Sequence, residues 1–178
     1  MQLHIETAHF NFSQSHQPTM VSSFIEALVR KAMEVEDDQP VDAEIERQAT
    51  GTIPAIGAYW PGQGGIYAGV ARGRDGEADY HLILCQEAPT KGFTWQAALD
   101  LAKTITADGH SDFIVPTRFE SALLYANLQD QFDTDHWYWT STQCSETRAW
   151  GQCFGNGDQL DGGKGYERRV RFARRLAL

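Results

Sequence analysis

From Ile53 onward the chain alternates short apolar runs with turn-forming residues, and before that point it does not. "AIGAYW" and "IYAGVARG" read as two strand-like runs around "PGQGG", a turn built from residues that tolerate unusual backbone angles. After the turn "GRDGEAD" comes "YHLILCQ", apolar without alternation, the pattern of a strand buried on both faces. The period then changes. Trp95, Leu99, Ala102 and Ile105 repeat at helical spacing, with Thr94 expected as N-cap and Gly109 as the stop. A second helix is predicted from Thr117, opened by the capping box "TRFE", with Phe119, Ala122, Leu123 and Ala126 as its inner stripe. Three further strands are predicted at "WYWTST", "RAWGQCF" and "ERRVRFARR", forming an antiparallel meander.

The first fifty residues have another texture. "SSFIEALVRKAMEVE" places Phe24, Leu28 and Ala32 on one row and Ile25, Val29 and Met33 on a second, with Ser23 and Glu26 spaced as a capping box. "EVEDDQPVDAEIERQATGT" is acidic and broken by a proline, which reads as a solvated linker. The expected organisation is a helix with an acidic linker over 1–50, serving as an assembly arm, and a compact domain over 51–178.

Composition narrows the function classes. The 178 residues carry a formal charge of −9, which disfavours free nucleic acid or an anionic membrane as partner. No stretch approaches the apolar length of a membrane span, and the first residues lack a secretion-signal pattern. The arginines of the closing "KGYERRVRFARR" fall on alternate sides of Val170 and Phe172 and are expected to pair with carboxylates. Cys85, Cys144 and Cys153 are an odd number, and a reduced, intracellular origin is the default expectation. Cys144 and Cys153 either bridge or stand as thiols; spacing alone does not choose between the two.

The stretch "HWYWTSTQCSETRAWGQCFGNGDQLDGGKG" carries the candidate chemistry. Alternation puts Trp150, Gln152 and Phe154 on one side and Ala149, Gly151 and Cys153 on the other. With the aromatic side facing the core, Gly151 and Cys153 are expected to point outward. Gln143, Ser145, Glu146, Thr147, Arg148, Gly151, Cys153, Asn156 and Asp158 then form one expected contact face, with an unspecialised solvated loop as the plain alternative. The hydroxyls of "TST" have no base or nucleophile-elbow glycines beside them and read as structural. Asn156, Asp158 and Asp161 offer oxygens to calcium, yet "NGD" is also an ordinary tight turn, so no cofactor is expected. The six histidines show no zinc-ligand spacing.

"IGAYWPGQGGIYAG", "YHLIL", "VPTRFE", "YWTST", "AWGQCFGNG" and "RVRFARR" together resemble the Lcl C-terminal-like domain family, a bacterial and phage branch of the C-type lectin fold. The resemblance covers about Ile53 to Arg175. It implies an α+β domain of C-type lectin type, two helices packed on antiparallel sheets, here preceded by an N-terminal helical arm. It also implies a non-catalytic, ligand-displaying protein of a phage virion, made in the bacterial cytoplasm, related to the variable proteins of diversity-generating retroelements. The expected partners are other phage structural proteins through the arm and a host-surface receptor, protein or glycan, through the domain; self-association into a homo-oligomer is a further expectation. A capsid-decoration or tail accessory protein is the alternative. The same fold houses formylglycine-generating oxidases, for which Cys144 and Cys153 would have to supply the redox thiols; no lysine cluster or histidine beside them would lower a thiol pKa.

Overall fold

The computed structural model describes residues 52–178; the helix and acidic linker expected within 1–50 lie outside them. The chain forms β1 (Tyr59–Trp60), β2 (Gly65–Ala71), β3 (Tyr80–Cys85), α1 (Trp95–Ala102), α2 (Arg118–Leu128), a 3-10 turn (Gln129–Gln131), β4 (Trp137–Gln143), β5 (Arg148–Cys153), β6 (Gln159–Gly163) and β7 (Ala173–Ala177). The architecture is α+β: two helices on two antiparallel sheets, one ordered β1-β2-β3-β7 and the other β4-β5-β6.

The unbroken apolar run of β3 has the expected cause. It is an inner strand, paired with β2 on one edge and β7 on the other, and side chains pack over both of its faces. Leu82 and Leu84 face a core with Leu124, Leu128, Phe132, Tyr138 and Phe154. Ile83 points the opposite way, onto Trp60 and Tyr67. A second packed cluster joins Trp95, Ala98 and Ala102 of α1 to Trp139, Ala149, Val170 and Phe172. Each of these larger side chains contributes roughly 1.5–3 kcal/mol by leaving water.

Two local expectations need correction. Helix α1 has Thr94 as its N-cap, without a side-chain cap bond, but ends at Ala102, well short of Gly109. Gly109 instead belongs to a separate tight turn closed by reciprocal bonds between Ala107 and His110. In α2 the capping box of Thr117 and Glu120 is present, but the buried positions are Glu120, Ser121, Leu124 and Leu128. Phe119 is 54% exposed. The inner row is therefore shifted by one residue from the predicted stripe, because Glu120 has a cationic partner inside and Phe119 is covered outside by Arg74, 3.6 Å from its ring centroid.

The closing segment also departs from the prediction. The third strand of the meander is Gln159–Gly163, while the chain after Arg168 crosses to the other sheet and ends as β7 against β3. Single bridges, Phe93 to Arg168 and Tyr138 to Arg169, hold the crossing segment. Val170 and Phe172 are fully buried, as alternation required. Arg169, Arg174 and Arg175 reach carboxylates of Asp133, Asp112 and Glu120. Arg171 does not: it donates to the carbonyls of Gln131 and Cys85.

Candidate functional site

The three-stranded ribbon β4-β5-β6 carries the candidate site, and its register fixes what each face shows. Trp139 pairs with Gly151 and Gly151 with Leu160, while Ala149 pairs with Gly162. One face therefore holds Trp137, Trp139, Ala149, Gly151, Cys153, Leu160 and Gly162. The other holds Tyr138, Trp150, Gln152, Gln159 and Asp161.

On this second face the strands are clamped by polar and aromatic contacts. Tyr138 stands edge-on to Phe132 and Phe154, with centroids 5.2 and 5.3 Å away. The Arg118 guanidinium at the start of α2 lies 3.7 Å from the Trp150 ring centroid and donates through Nε to Gln159 Oε1 at 2.6 Å. Gln159 passes the chain of bonds on, donating to Gln152 Oε1 at 2.5 Å and to the Arg118 carbonyl at 2.8 Å. Gln152, fully buried, donates to the Gly157 carbonyl at 2.9 Å and so holds the β5–β6 turn. Helix, middle strand and edge strand thus move as one body.

The first face contradicts the outward reading of Gly151. The glycine is buried, and a Cβ built on it would collide with Arg168 Nη1; one on Gly162 would collide with Nη2. The missing side chains are what admit the guanidinium, which sits against both strands, 4.4 Å from the Trp139 ring centroid and 5.2 Å from that of Trp137. Both sides of β5 are covered: Ala149 on the glycine side and Gln152 on the other are fully buried, while Trp150 is half-buried under Arg118. Phe154, just beyond the strand, is buried as expected. Cys153 is half-buried.

Of the nine residues expected to form one face, Gly151 and Cys153 lie within β5 and the other seven fall into two groups. Gln143, Ser145, Glu146, Thr147 and Arg148 are exposed around the β4–β5 turn. Lys164 ties that turn down, donating through Nζ to the Glu146 carbonyl at 2.8 Å and through its backbone to the Thr147 carbonyl at 2.9 Å. Arg148 reaches Asp161 across the ribbon and holds that carboxyl below its ordinary range. Asn156 and Asp158 are exposed in the β5–β6 turn at the other end, bonded to each other at 2.7 Å. About five residues of extended strand, or about 17 Å, separate the two groups. The gap is bridged on the first face by residues the sequence reading left out. Leu160 is 55% exposed, Tyr166 is 67% exposed, and Trp137 and Arg168 lie beside them. The doubled glycine at 162–163 and the arginine pair at 168–169 were the available signal for this arrangement.

The remaining chemistry of the stretch is structural. Thr140 Oγ1 donates to the Trp150 carbonyl at 2.9 Å, and Thr142 Oγ1 accepts from the Arg118 backbone at 2.9 Å. All three cysteines are thiols, so Cys144 and Cys153 do not bridge. They flank β5 at opposite ends, too far apart to exchange a disulfide directly. Asp161 is held by Arg148 on the strand and does not converge with Asn156 and Asp158. Among the described residues no group of His, Cys, Asp and Glu side chains is gathered for a metal.

A second concavity, about 810 Å³, opens between the β2–β3 turn and α2. Its floor is Glu120, which accepts from Arg175 Nε at 2.7 Å, Tyr80 Oη at 2.8 Å and the Thr117 backbone at 2.7 Å. Burial alone would push this carboxyl up, but Arg175 and the Thr117 donors together hold it below its ordinary range. With every strong donor in reach already engaged, Glu120 serves as a brace between helix and sheet and not as a proton-transfer group.

No protein-family model matches the chain, and comparison with curated proteins finds no match.

Proposed function

We propose that the chain is a non-catalytic binding protein associated with a phage or prophage virion, built on a C-type-lectin-like domain of the Lcl C-terminal-like kind. The β4-β5-β6 ribbon would present its recognition surface to a receptor on the host cell. The observation that carries this reading is the contrast within the ribbon. Its frame is locked by Arg118, Gln152, Gln159 and Arg168, while Gln143 to Thr147 and the Leu160 and Tyr166 side chains remain exposed. A fixed backbone under an exposed surface is what recognition through exchangeable side chains requires, because the ordering cost is met before the ligand arrives. The use of the Thr140 and Thr142 hydroxyls in backbone bonds, and the separation of Cys144 from Cys153, support the non-catalytic reading over a formylglycine-generating one. Residues 1–50 would join the protein to other virion components.

The test is adsorption. Antibody against the chain should label assembled particles, and added soluble chain should compete with particles for host cells. Replacing residues 143–148 by a glycine–serine loop should abolish that competition without lowering thermal stability by more than about 1 kcal/mol. Unchanged competition by the loop variant would overturn recognition through this turn.

The exposure of Ile53, Ile56, Val70 and Phe119 favours a second reading, in which the domain packs against neighbouring subunits as a capsid or tail accessory protein. In that case the chain would be found on particles, soluble chain would not compete, and particle assembly would suffer from Val70→Asp or Phe119→Asp.

A further inference from the structure

The β2–β3 hairpin closes on a turn that sets four charges in a fixed order. Asp75 and Gly76 both take positive φ, 56° and 92°, and the Glu77 N–H donates to the Arg74 carbonyl at 3.0 Å. This is the two-residue turn whose twist matches that of its strands. The Gly73 N–H donates to Asp79 Oδ1 at 2.9 Å and tightens the same loop. Arg72 and Arg74 therefore stand on the entering arm, with Asp75 at the tip and Glu77 on the returning arm. Among the described residues none of these four side chains forms an ion pair. Glu120 holds Arg175, and Glu77 acts on that guanidinium only from beyond ion-pair distance.

The same four residues line the concavity of about 810 Å³ between the hairpin and α2. Its floor is self-sufficient, because Tyr80, Thr117 and Arg175 all donate to Glu120. Its walls are apolar and open. Val70 and Phe119 each keep about half of their surface in water, although Arg74 lies over one face of the Phe119 ring. Ile56, also about half-exposed, extends the patch: its Cδ1 lies 3.3 Å from where a Cβ on Gly69 would stand, one residue before Val70. Large apolar side chains exposed side by side within a polar rim mark a protein-contact surface.

Charge selects the occupant. A basic partner would pair with Asp75 and Glu77 and repel Arg72 and Arg74, and an acidic partner would do the reverse. A second copy turned about a two-fold axis meets neither penalty. The axis lays each basic arm against the acidic arm of the other copy and sets Val70 and Phe119 across from their equivalents. The formal charge of −9 keeps copies apart in general, but it is cancelled locally at this rim.

We infer that this concavity is a self-association face, on which a second copy of the chain docks by two-fold symmetry, Arg72 of each copy against Glu77 of the other, with Val70 and Phe119 between. The inference does not rest on the ribbon being a recognition surface, and it names the neighbour that the apolar face takes.

The experiment is sedimentation equilibrium of the full-length chain. The native chain should dimerise with a Kd between about 1 μM and 1 mM, the weak end for protein interfaces. Phe119→Asp, Arg72→Glu and Glu77→Arg should each weaken the dimer at least about tenfold. Lys103→Glu, the same change of charge as Arg72→Glu but at the exposed end of α1, should leave it unchanged. Mixing the Arg72→Glu chain with the Glu77→Arg chain restores opposite charges at both contacts. The mixture should dimerise within about threefold of the native affinity, which also shows that both variants fold. A native chain monomeric at about 1 mM, association unmoved by Phe119→Asp, or a mixture no tighter than its parts would overturn the inference. Absent dimers with intact competition for adsorption would remove this face and leave the display reading standing. Rescued dimers from a chain that never labels particles would do the reverse.

Discussion

Glu120 Oε1 receives the Arg175 Nε proton at 2.7 Å, joining the first turn of α2 to the last strand of the central sheet. The carboxylate side chain is 1% exposed and the guanidinium 37%. This asymmetry decides what each substitution should do. Glu120→Ala removes the capping box, the Tyr80 partner and the ion pair together, and should cost about 3–5 kcal/mol. Arg175→Ala leaves Glu120 its Thr117 and Tyr80 donors and should cost less than half as much. Urea denaturation checks this through the midpoint, with the slope unchanged. Because the folded carboxyl sits below its ordinary value of 4.5, its contribution is present above that value and is lost as pH falls through the folded pKa. Acid should therefore destabilise the native chain and leave Glu120→Gln less pH-sensitive below about pH 4.5.

The alkaline side has the opposite sign. Burial first, and then the hydrogen bond to Asp108, pushes the Tyr59 phenol up to about 12, and burial with the Glu120 bond does the same for Tyr80. A raised folded pKa stabilises fully below the unfolded value of 10.0 and loses that effect as pH rises toward 12. Ultraviolet difference absorbance should show these two tyrosines ionising after the others. Tyr80→Phe should remove one late-titrating phenol and leave the Tyr59 phase in place.

Gly151 and Gly165 test the covered face of the ribbon. A Cβ at Gly151 meets Arg168 and comes within 3.0 Å of the Tyr138 carbonyl, whereas one at Gly165 meets nothing within 4 Å. Gly151→Ala should cost about 1–3 kcal/mol and shift tryptophan emission as the guanidinium is forced off Trp139. Gly165→Ala should stay within about 0.5 kcal/mol of the native chain. Equal melting of the two variants would contradict the seating of Arg168.

The cysteines should react in order of exposure. Cys144 is exposed, Cys153 half-buried and Cys85 fully buried, with burial also pushing the Cys85 thiol up. A thiol reagent counted by mass spectrometry should label Cys144 first, Cys153 more slowly and Cys85 only as denaturant opens the domain.

Much of this architecture is local enough to be legible in the residues. The unbroken run of β3, the Thr117 capping box and the helical repeat of Trp95 and Ala102 each depend on neighbours in sequence. What escaped depends on partners far along the chain. Glu120 is an inward residue only because Arg175 stands opposite, and Trp150 can leave the core only because Arg118 covers it. β6, with the sequence "QLDGG", has neither alternation nor β-branched residues; it is an edge strand, and its Gly162 is required by Arg168. The candidate surface was misread for the same reason. Trp150 was assigned to the interior by size but is half-buried, and the glycine face taken as open is covered by an arginine from another segment.

The crossing of the closing segment between sheets has a consequence for biosynthesis. β3 is an inner strand of the four-stranded sheet, yet its second neighbour is β7, which follows every other described element in chain order. A nascent chain halted before Ala173 would display the whole hydrogen-bonding edge of β3, beside a β2–β3 hairpin already formed. Completion of this sheet therefore waits for synthesis of β7, and the interval before it is when such a chain is most open to pairing with another copy of itself.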